Sequence, residues 1–226
     1  MRRHFTINVV KKPIINYYPS YYTQKAKSKW LAFFIQRKFQ FFDHPKQISM
    51  RLLKSTIHPD IIDMSAKSFT RKATRAIVLS GDNILLLYTK RYHDYSLPGG
   101  GIDEGESNID GLIRELKEET GAHNVKNIQE FGVYEEFRPW HKSDFDIVHM
   151  ESYCYICTID DVLLEPEFES HEIDNGMHPI WMNIHQAISH NEHTIAVSEK
   201  KGLSIERETF LLKLIVEELL SKCVEV

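Results

Sequence analysis

Glu115, Glu118 and Glu119 stand at i, i+3 and i+4, a spacing that brings three carboxylates to one side of an α-helix. They fall in the last turn before Gly121, where the helix dipole is negative and acidic side chains are disfavoured. Each like-charge neighbour at this spacing costs about 0.2–0.5 kcal/mol, and the dipole adds a similar penalty. A helix with no use for these groups would carry Lys or Arg there. A divalent cation reverses the sign of every one of these contributions, and hard carboxylate oxygens suit Mg²⁺ or Mn²⁺. Taken alone, three glutamates more often form a solvated acidic face, here partly neutralised by Arg114 and Lys117.

The elements that would position them are legible in the same window, SLPGGGIDEGESNIDGLIRELKEETGA. Glycines 99–101 free the backbone to turn tightly and approach a ligand. Ser107 followed by Asp110 is a capping-box pattern. Ile109, Leu112, Ile113 and Leu116 recur at helical spacing and predict one buried face, and Gly121 predicts the stop. The expected helix covers about residues 107–120.

The wider pattern decides between the two readings of the glutamates. Gly100 is followed after five residues by Glu106, and after seven more by Arg114-Glu115-Leu116-Lys117-Glu118-Glu119-Thr120-Gly121-Ala122. This resembles the Nudix box at every charged and glycine position, with Ala122 where the family prefers a larger aliphatic residue. Ordinary residue frequencies give such a pattern about one chance in a million in a chain of this length. The lead-in Tyr95-Ser96-Leu97-Pro98-Gly99 also looks like the family's, with Tyr where Trp is frequent. The resemblance implies a metal-dependent hydrolase that cuts a pyrophosphate linkage in a nucleotide-derived substrate. It implies Glu115 and Glu119 as principal ligands of Mg²⁺ (or Mn²⁺), Glu118 as a further ligand or its neighbour, and the Gly99 carbonyl as an additional ligand. Arg114 would orient a glutamate by salt bridge, Glu106 would brace the loop, and Gly100 and Gly121 would shape it.

For the general base, the family offers either a box glutamate or an acid from a loop before the late Trp-bearing strand. Here that loop is EPEFESHEIDNGMHPIW, with Glu172 the first candidate and Glu169 the second. An ordinary acid in a mobile loop is an equal reading of Glu172. Tyr134, Phe137 and Trp140 are candidates to stack on a base, although an aromatic in a strand is more often core. His185, His190 and His193 are dense but lack the spacing of a zinc site and read as solvated polar residues.

Around this window, TRAIVL and NILLLYTK read as a hairpin turning at Ser80-Gly81-Asp82-Asn83. Strands follow near 126–137 and 146–158, then an acidic loop at 164–176, a short strand HPIWM, a helix from about Asn183 and a longer one from about Ser204. The expected class is α/β (α+β), a Nudix-type α/β/α sandwich with a mixed sheet. The domain should cover residues 68–226, preceded by a basic, aromatic extension at 1–67 in which Trp30, Phe33, Phe34, Phe39 and Phe41 recur at roughly helical spacing. That extension reads as a helix packed on its own acidic domain, or as a contact for nucleic acid or an anionic membrane surface; a targeting role stays open because no acid precedes Asp43.

The chain has 226 residues, and its net charge of −4 hides a sharp division. Residues 1–72 hold 15 Lys and Arg against three acids, a net of +12, and the remainder carries −16. No apolar run is long enough to span a membrane, and Lys11, Lys12 and Pro13 interrupt the start too early for a cleaved secretory signal. Three cysteines argue against a disulfide framework, and the Cys154/Cys157 pair sits at an odd offset in a predicted strand, on opposite faces. A reducing, cytoplasmic setting fits best. Two functions of different class compete: hydrolysis of a nucleoside diphosphate linked to some group X, with cleavage of an RNA 5′ end as a variant, and a non-catalytic nucleotide-binding regulator that uses the basic segment. The intact box favours the enzyme, and the family admits a homodimer.

Overall fold

The computed structural model describes residues 50–221. In chain order the strands are β1 (Leu52–Ile57), β2 (Ser68–Ile77), β3 (Leu79–Ser80), β4 (Asn83–Thr89), β5 (Asp94–Ser96), β6 (Lys126–Pro139), β7 (Ile147–Thr158) and β8 (Met177–Asn183). The helices are α1 (Asn108–Thr120), α2 (Ser170–Asn175), α3 (Ile184–Val197) and α4 (Ile205–Ile215), the last running on into a π-helical turn at Val216–Leu220. No helix among the described residues is long and apolar enough to cross a membrane.

One sheet has the order β1-β6-β7-β2. β6 and β7 are antiparallel, whereas β1 on β6 and β2 on β7 are parallel, so the sheet is mixed. In the second sheet β4 lies between β8 on one edge and β3 and β5 on the other, all antiparallel. Alternation along the strands gives each sheet two buried faces. Ile77, Ile84, Leu86 and Cys154 meet Ile184, Leu211 and Leu212 from α3 and α4. Ala76, Val78, Leu85, Tyr155 and Cys157 meet Leu112 and Leu116 from α1. Helices therefore cover both faces of the strands, the expected α/β/α sandwich. Cys154 and Cys157 lie on opposite faces of β7, both buried and free, and burial pushes each thiol up to about 12.

Three expectations need correction. The hairpin expected at 74–90 closes only through Leu79↔Ile84 and Ser80↔Asn83, because β2 spends its ten residues on a parallel ladder with β7 in the other sheet. Ile109 and Ile113 are 36% and 38% exposed; the inner stripe of α1 follows Gly111, Leu112, Leu116, Glu119 and Thr120, so a carboxylate and a hydroxyl face inward where a purely apolar face would have used the isoleucines. The acidic loop contains a helical turn, α2, closed by the left-handed Gly176. In addition β1, drawn from the N-terminal extension, is an edge strand of the mixed sheet. The aromatic run from Trp30 to Phe41 lies outside the described residues.

Candidate metal and pyrophosphate site

The glycine loop is fastened to the open edge of β2. Thr74 N–H donates to the Gly100 carbonyl at 2.9 Å, Ala76 N–H to Pro98 at 2.8 Å, and Ile102 N–H to Lys72 at 3.1 Å. The loop thereby behaves as a short extra strand with fixed register. It passes so close over α1 that a Cβ at Gly100 would stand 2.5 Å from the Glu115 carboxylate and would push that side chain aside.

α1 begins at Ser107, whose Oγ accepts from Asp110 N–H at 3.1 Å. It ends at Gly121, left-handed at φ 69°, whose N–H returns to Lys117. The acidic segment after β7 is tied to this end: Leu164 N–H donates to Gly121 and Glu167 N–H to Glu118, at 2.9 and 2.6 Å.

Arg114 organises the carboxylates. Its guanidinium donates to both Glu106 oxygens at 2.9 and 3.0 Å, to Glu115 at 2.8 Å, to Glu118 at 3.1 Å and to the Gly101 carbonyl at 2.9 Å. Glu106 in turn accepts from Asp103 N–H at 3.0 Å, which ties the loop to the helix. Beyond the arginine lies Glu119, 5% exposed, accepting from Gly99 N–H. Burial pushes its carboxyl up to about 8, against the pull of that bond and of Arg75, with Glu115 adding repulsion. Burial also raises Glu115, more than Arg114 lowers it. Two inward carboxylates that repel each other, with a third beside them on Arg114, form a hard oxygen donor set whose burial cost a divalent cation removes. The residues fit Mg²⁺ or Mn²⁺.

Glu119, Gly99 and Gly100 line a cleft of about 460 Å³, and Glu172 from α2 lines it as well. Glu172 is near enough for its charge to raise Glu119 further. Its carboxylate also closes the α2 capping box, accepting from Glu169 N–H at 2.7 Å. Glu169 does not line the cleft and pairs with His171 at 3.1 Å.

The opposite wall holds groups that sequence reasoning missed. Arg207 of α4 is buried between Glu136 of β6 and its neighbour Glu208, with bonds to Glu208 of 2.7 and 3.0 Å. The same Glu208 accepts from Leu97 N–H at 3.0 Å and faces Arg75 at 3.9 Å, so one buried carboxylate braces the lead-in to the glycine loop and two arginines. Arg71 and Arg138 complete the wall. The signal for the β2 arginines was present: Arg71 and Arg75 share a strand face with Phe69, Ala73 and Ile77, an apolar face on which cations are out of place.

Of the aromatic candidates, Tyr134 is core and Phe137 stacks on His149 at 4.3 Å, while Trp140 packs edge-on against Phe69. His190 packs on His93 and Tyr95 and bonds the His93 carbonyl at 3.0 Å, a structural contact. A second carboxylate–histidine group, Glu135, His149 and Glu151, has its ligand atoms within 4.8 Å of one another. It lies on the β7 face opposite Met150, away from the cleft, and Tyr153 already donates to Glu151 at 2.7 Å.

A loop–helix–loop laced to an edge strand, with its acids converging beneath the glycines, is the arrangement of a phosphate-handling metal site. Residues 70–203 match the family model described as the NUDIX domain, and the chain belongs to that family. An RNA pyrophosphohydrolase of Bartonella quintana (strain Toulouse) is 46% identical over 57 residues, 25% of this chain and 30% of that protein. One of Ruthia magnifica subsp. Calyptogena magnifica is 34% identical over 82 residues, 35% and 44% of the respective chains. The matches span less than half the length of these curated relatives. Among solved structures, a MutT protein from Bacillus halodurans aligns with 63% of this chain and 80% of its own at 22% identity, TM-score 0.46.

Proposed function

We propose that this protein is a divalent-metal-dependent pyrophosphohydrolase acting on a nucleoside diphosphate linked to another group X. The observation that carries the reading is the grouping of Glu115 and Glu118 on Arg114 with Glu119 under Gly99, Glu119 itself lining a cleft that also holds Arg71, Arg75, Arg138 and Arg207. Glu115 and Glu119 would hold the cation, with Glu118 and the Gly99 carbonyl completing the ligand set. Bound there, Mg²⁺ or Mn²⁺ supplies charge neutralisation of the diphosphate and activation of water. Arg114 keeps Glu115 and Glu118 in place, and Glu106 keeps Arg114 in place. Glu172 accepts the proton of the attacking water once its capping bond is released. Water adds to phosphorus, the anhydride P–O bond breaks, and two phosphate-bearing products leave.

The test is phosphate-product release from ADP-ribose, nucleotide sugars, dinucleoside polyphosphates, NTPs and 5′-triphosphorylated RNA with Mg²⁺ or Mn²⁺, beside a Glu119→Gln control. Turnover that vanishes in the control supports the reading. Silence across the panel with both metals refutes it in favour of a nucleotide-binding regulator. A second reading, action on RNA 5′ ends, is supported by the names of the partial relatives and by the basic N-terminal residues. Free, buried Cys154 and Cys157 fit a reducing compartment such as the cytoplasm.

A further inference from the structure

Four arginines, Arg71, Arg75, Arg138 and Arg207, line the cleft together with Asp94, Glu119 and Glu172, and Glu136 and Glu208, both engaged by Arg207, are set among them. Arg71 and Arg138 have no ion pair among the described residues. The Nε of Arg138 is out of contact with solvent and has no hydrogen-bond partner there, which is a costly state for a guanidinium. Burial lowers Arg138; the charge of Glu136 opposes this, and the like charges of Arg207, Arg75 and Arg71 add to it.

Strand register says where these groups point. Arg138 of β6 pairs with Val148, and Arg71 of β2 with Met150, on the same face of the mixed sheet. The two arginines thus stand on the strands either side of β7, offset by two residues over a floor of Val148 and Met150, about 12 Å between backbones. That gap suits one phosphoryl group reached by two long side chains. Arg71 also reaches the metal loop: its Nη2 lies 3.2 Å from where a Cβ of Gly101 would be. A phosphate chain held through a cation on Glu115 and Glu119 and extended past Gly101 would meet Arg71 before Arg138.

Resting on the hydrolase reading above, we propose that Arg71 and Arg138 form a second anion subsite that takes a phosphoryl group outside the scissile linkage. The group X then carries phosphate and is not a neutral sugar. Arginine forks are matched to phosphate oxygens, and such a group would give the buried Arg138 Nε the acceptor it lacks among the described residues.

ATP and ADP-ribose share adenosine diphosphate and differ in whether the group beyond it is phosphate or sugar. The full-length protein should show a higher kcat/KM for ATP, and Arg71→Met and Arg138→Met should each lower the ATP to ADP-ribose ratio at least tenfold. Arg138→Lys, which keeps charge and loses the fork, should fall between, and it guards against a folding defect at the buried position. A ratio that stays within twofold of wild type in all three variants overturns the subsite while leaving the hydrolase intact. If neither nucleotide is turned over, calorimetry with inorganic tripolyphosphate, with and without Mg²⁺, decides the subsite separately, and the hydrolase reading stands or falls on the wider substrate panel. Binding weakened at least tenfold by Arg71→Met supports it; equal binding by the variant, or none by wild type, overturns it.

Discussion

Glu119 is buried at the negative end of a helix, beside other acids, with one backbone N–H and the nearby Arg75 as its favourable partners. Such a group destabilises the metal-free protein and gains when a cation arrives. Glu119→Gln keeps the volume and the bond from Gly99 while removing the charge. Its melting temperature without metal should match or exceed wild type, the rise in melting temperature on adding Mg²⁺ should vanish, and turnover should drop by about a hundredfold or more. A variant that still gains stability from Mg²⁺ would place the cation elsewhere. Asp94 on β5 is the counter-example of a buried acid with no cation: burial, then the charge of Glu208, pushes it up to about 6. Its folded value exceeds its ordinary 3.8, so the fold prefers the acid form; that contribution is complete below about 3.8 and is lost as pH rises through about 6. Asp94→Asn, neutral throughout, should therefore exceed wild type by about 1–3 kcal/mol in urea unfolding at pH 8 and by almost nothing at pH 4. An equal difference at both pH values would remove ionisation as the cause.

At the scale of elements, α1 converts core packing into metal-site geometry. Leu112 and Leu116 are fully buried against Leu85, Tyr155 and Cys157, and they set the rotation that turns Glu119 inward. Leu116→Ala should cost about 2–5 kcal/mol in denaturant unfolding. Because Leu116 lies between Glu115 and Lys117 on the same turn, Mg²⁺ affinity should weaken with it. A stability loss with unchanged affinity would mean that Arg114 alone positions the acids. The caps of this helix were legible because Ser107, Asp110 and Gly121 act locally, through bonds three or four residues long. Its buried face was only half legible, since Ile109 and Ile113 match the period as well as Leu112 does and only the neighbouring sheet chooses between them. The β2–β4 hairpin misled for the same reason: a polar turn after an apolar run is a local signal, whereas the partner of β2 is β7, about eighty residues on. The arginine wall required that pairing too, because Arg71 and Arg138 come together only through the register of three strands. The glutamates of the candidate metal site needed no such knowledge, being held within one helix.

Across the whole molecule, charge and chain topology divide at different places. Residues 1–49 hold ten Lys and Arg against the single acid Asp43, whereas the charge division falls at residue 72 and the expected domain begins at residue 68. β1 lies between those points and belongs to the mixed sheet, with Leu52 to Ile57 in register with Val133 to Phe137. Its ends are fastened as well: Val133 N–H donates to the Arg51 carbonyl at 2.8 Å and His58 N–H to Phe137 at 2.9 Å. We therefore propose that the catalytic unit begins just before β1. Removing residues 1–47 should leave the melting temperature and the kcat of the hydrolysed nucleotide within error of wild type. Removing residues 1–67 strips β1, exposes the long edge of β6 and should lower the melting temperature by several degrees, with aggregation. The same pair of truncations tests the RNA reading, because binding through the basic residues releases counterions and so weakens steeply with salt. If those residues contact RNA, the shorter deletion flattens the slope of log affinity against log salt while hydrolysis of a small nucleotide persists. An unchanged slope would move the RNA contact to the cleft itself, where Arg71 and Arg138 are the cations free to make it.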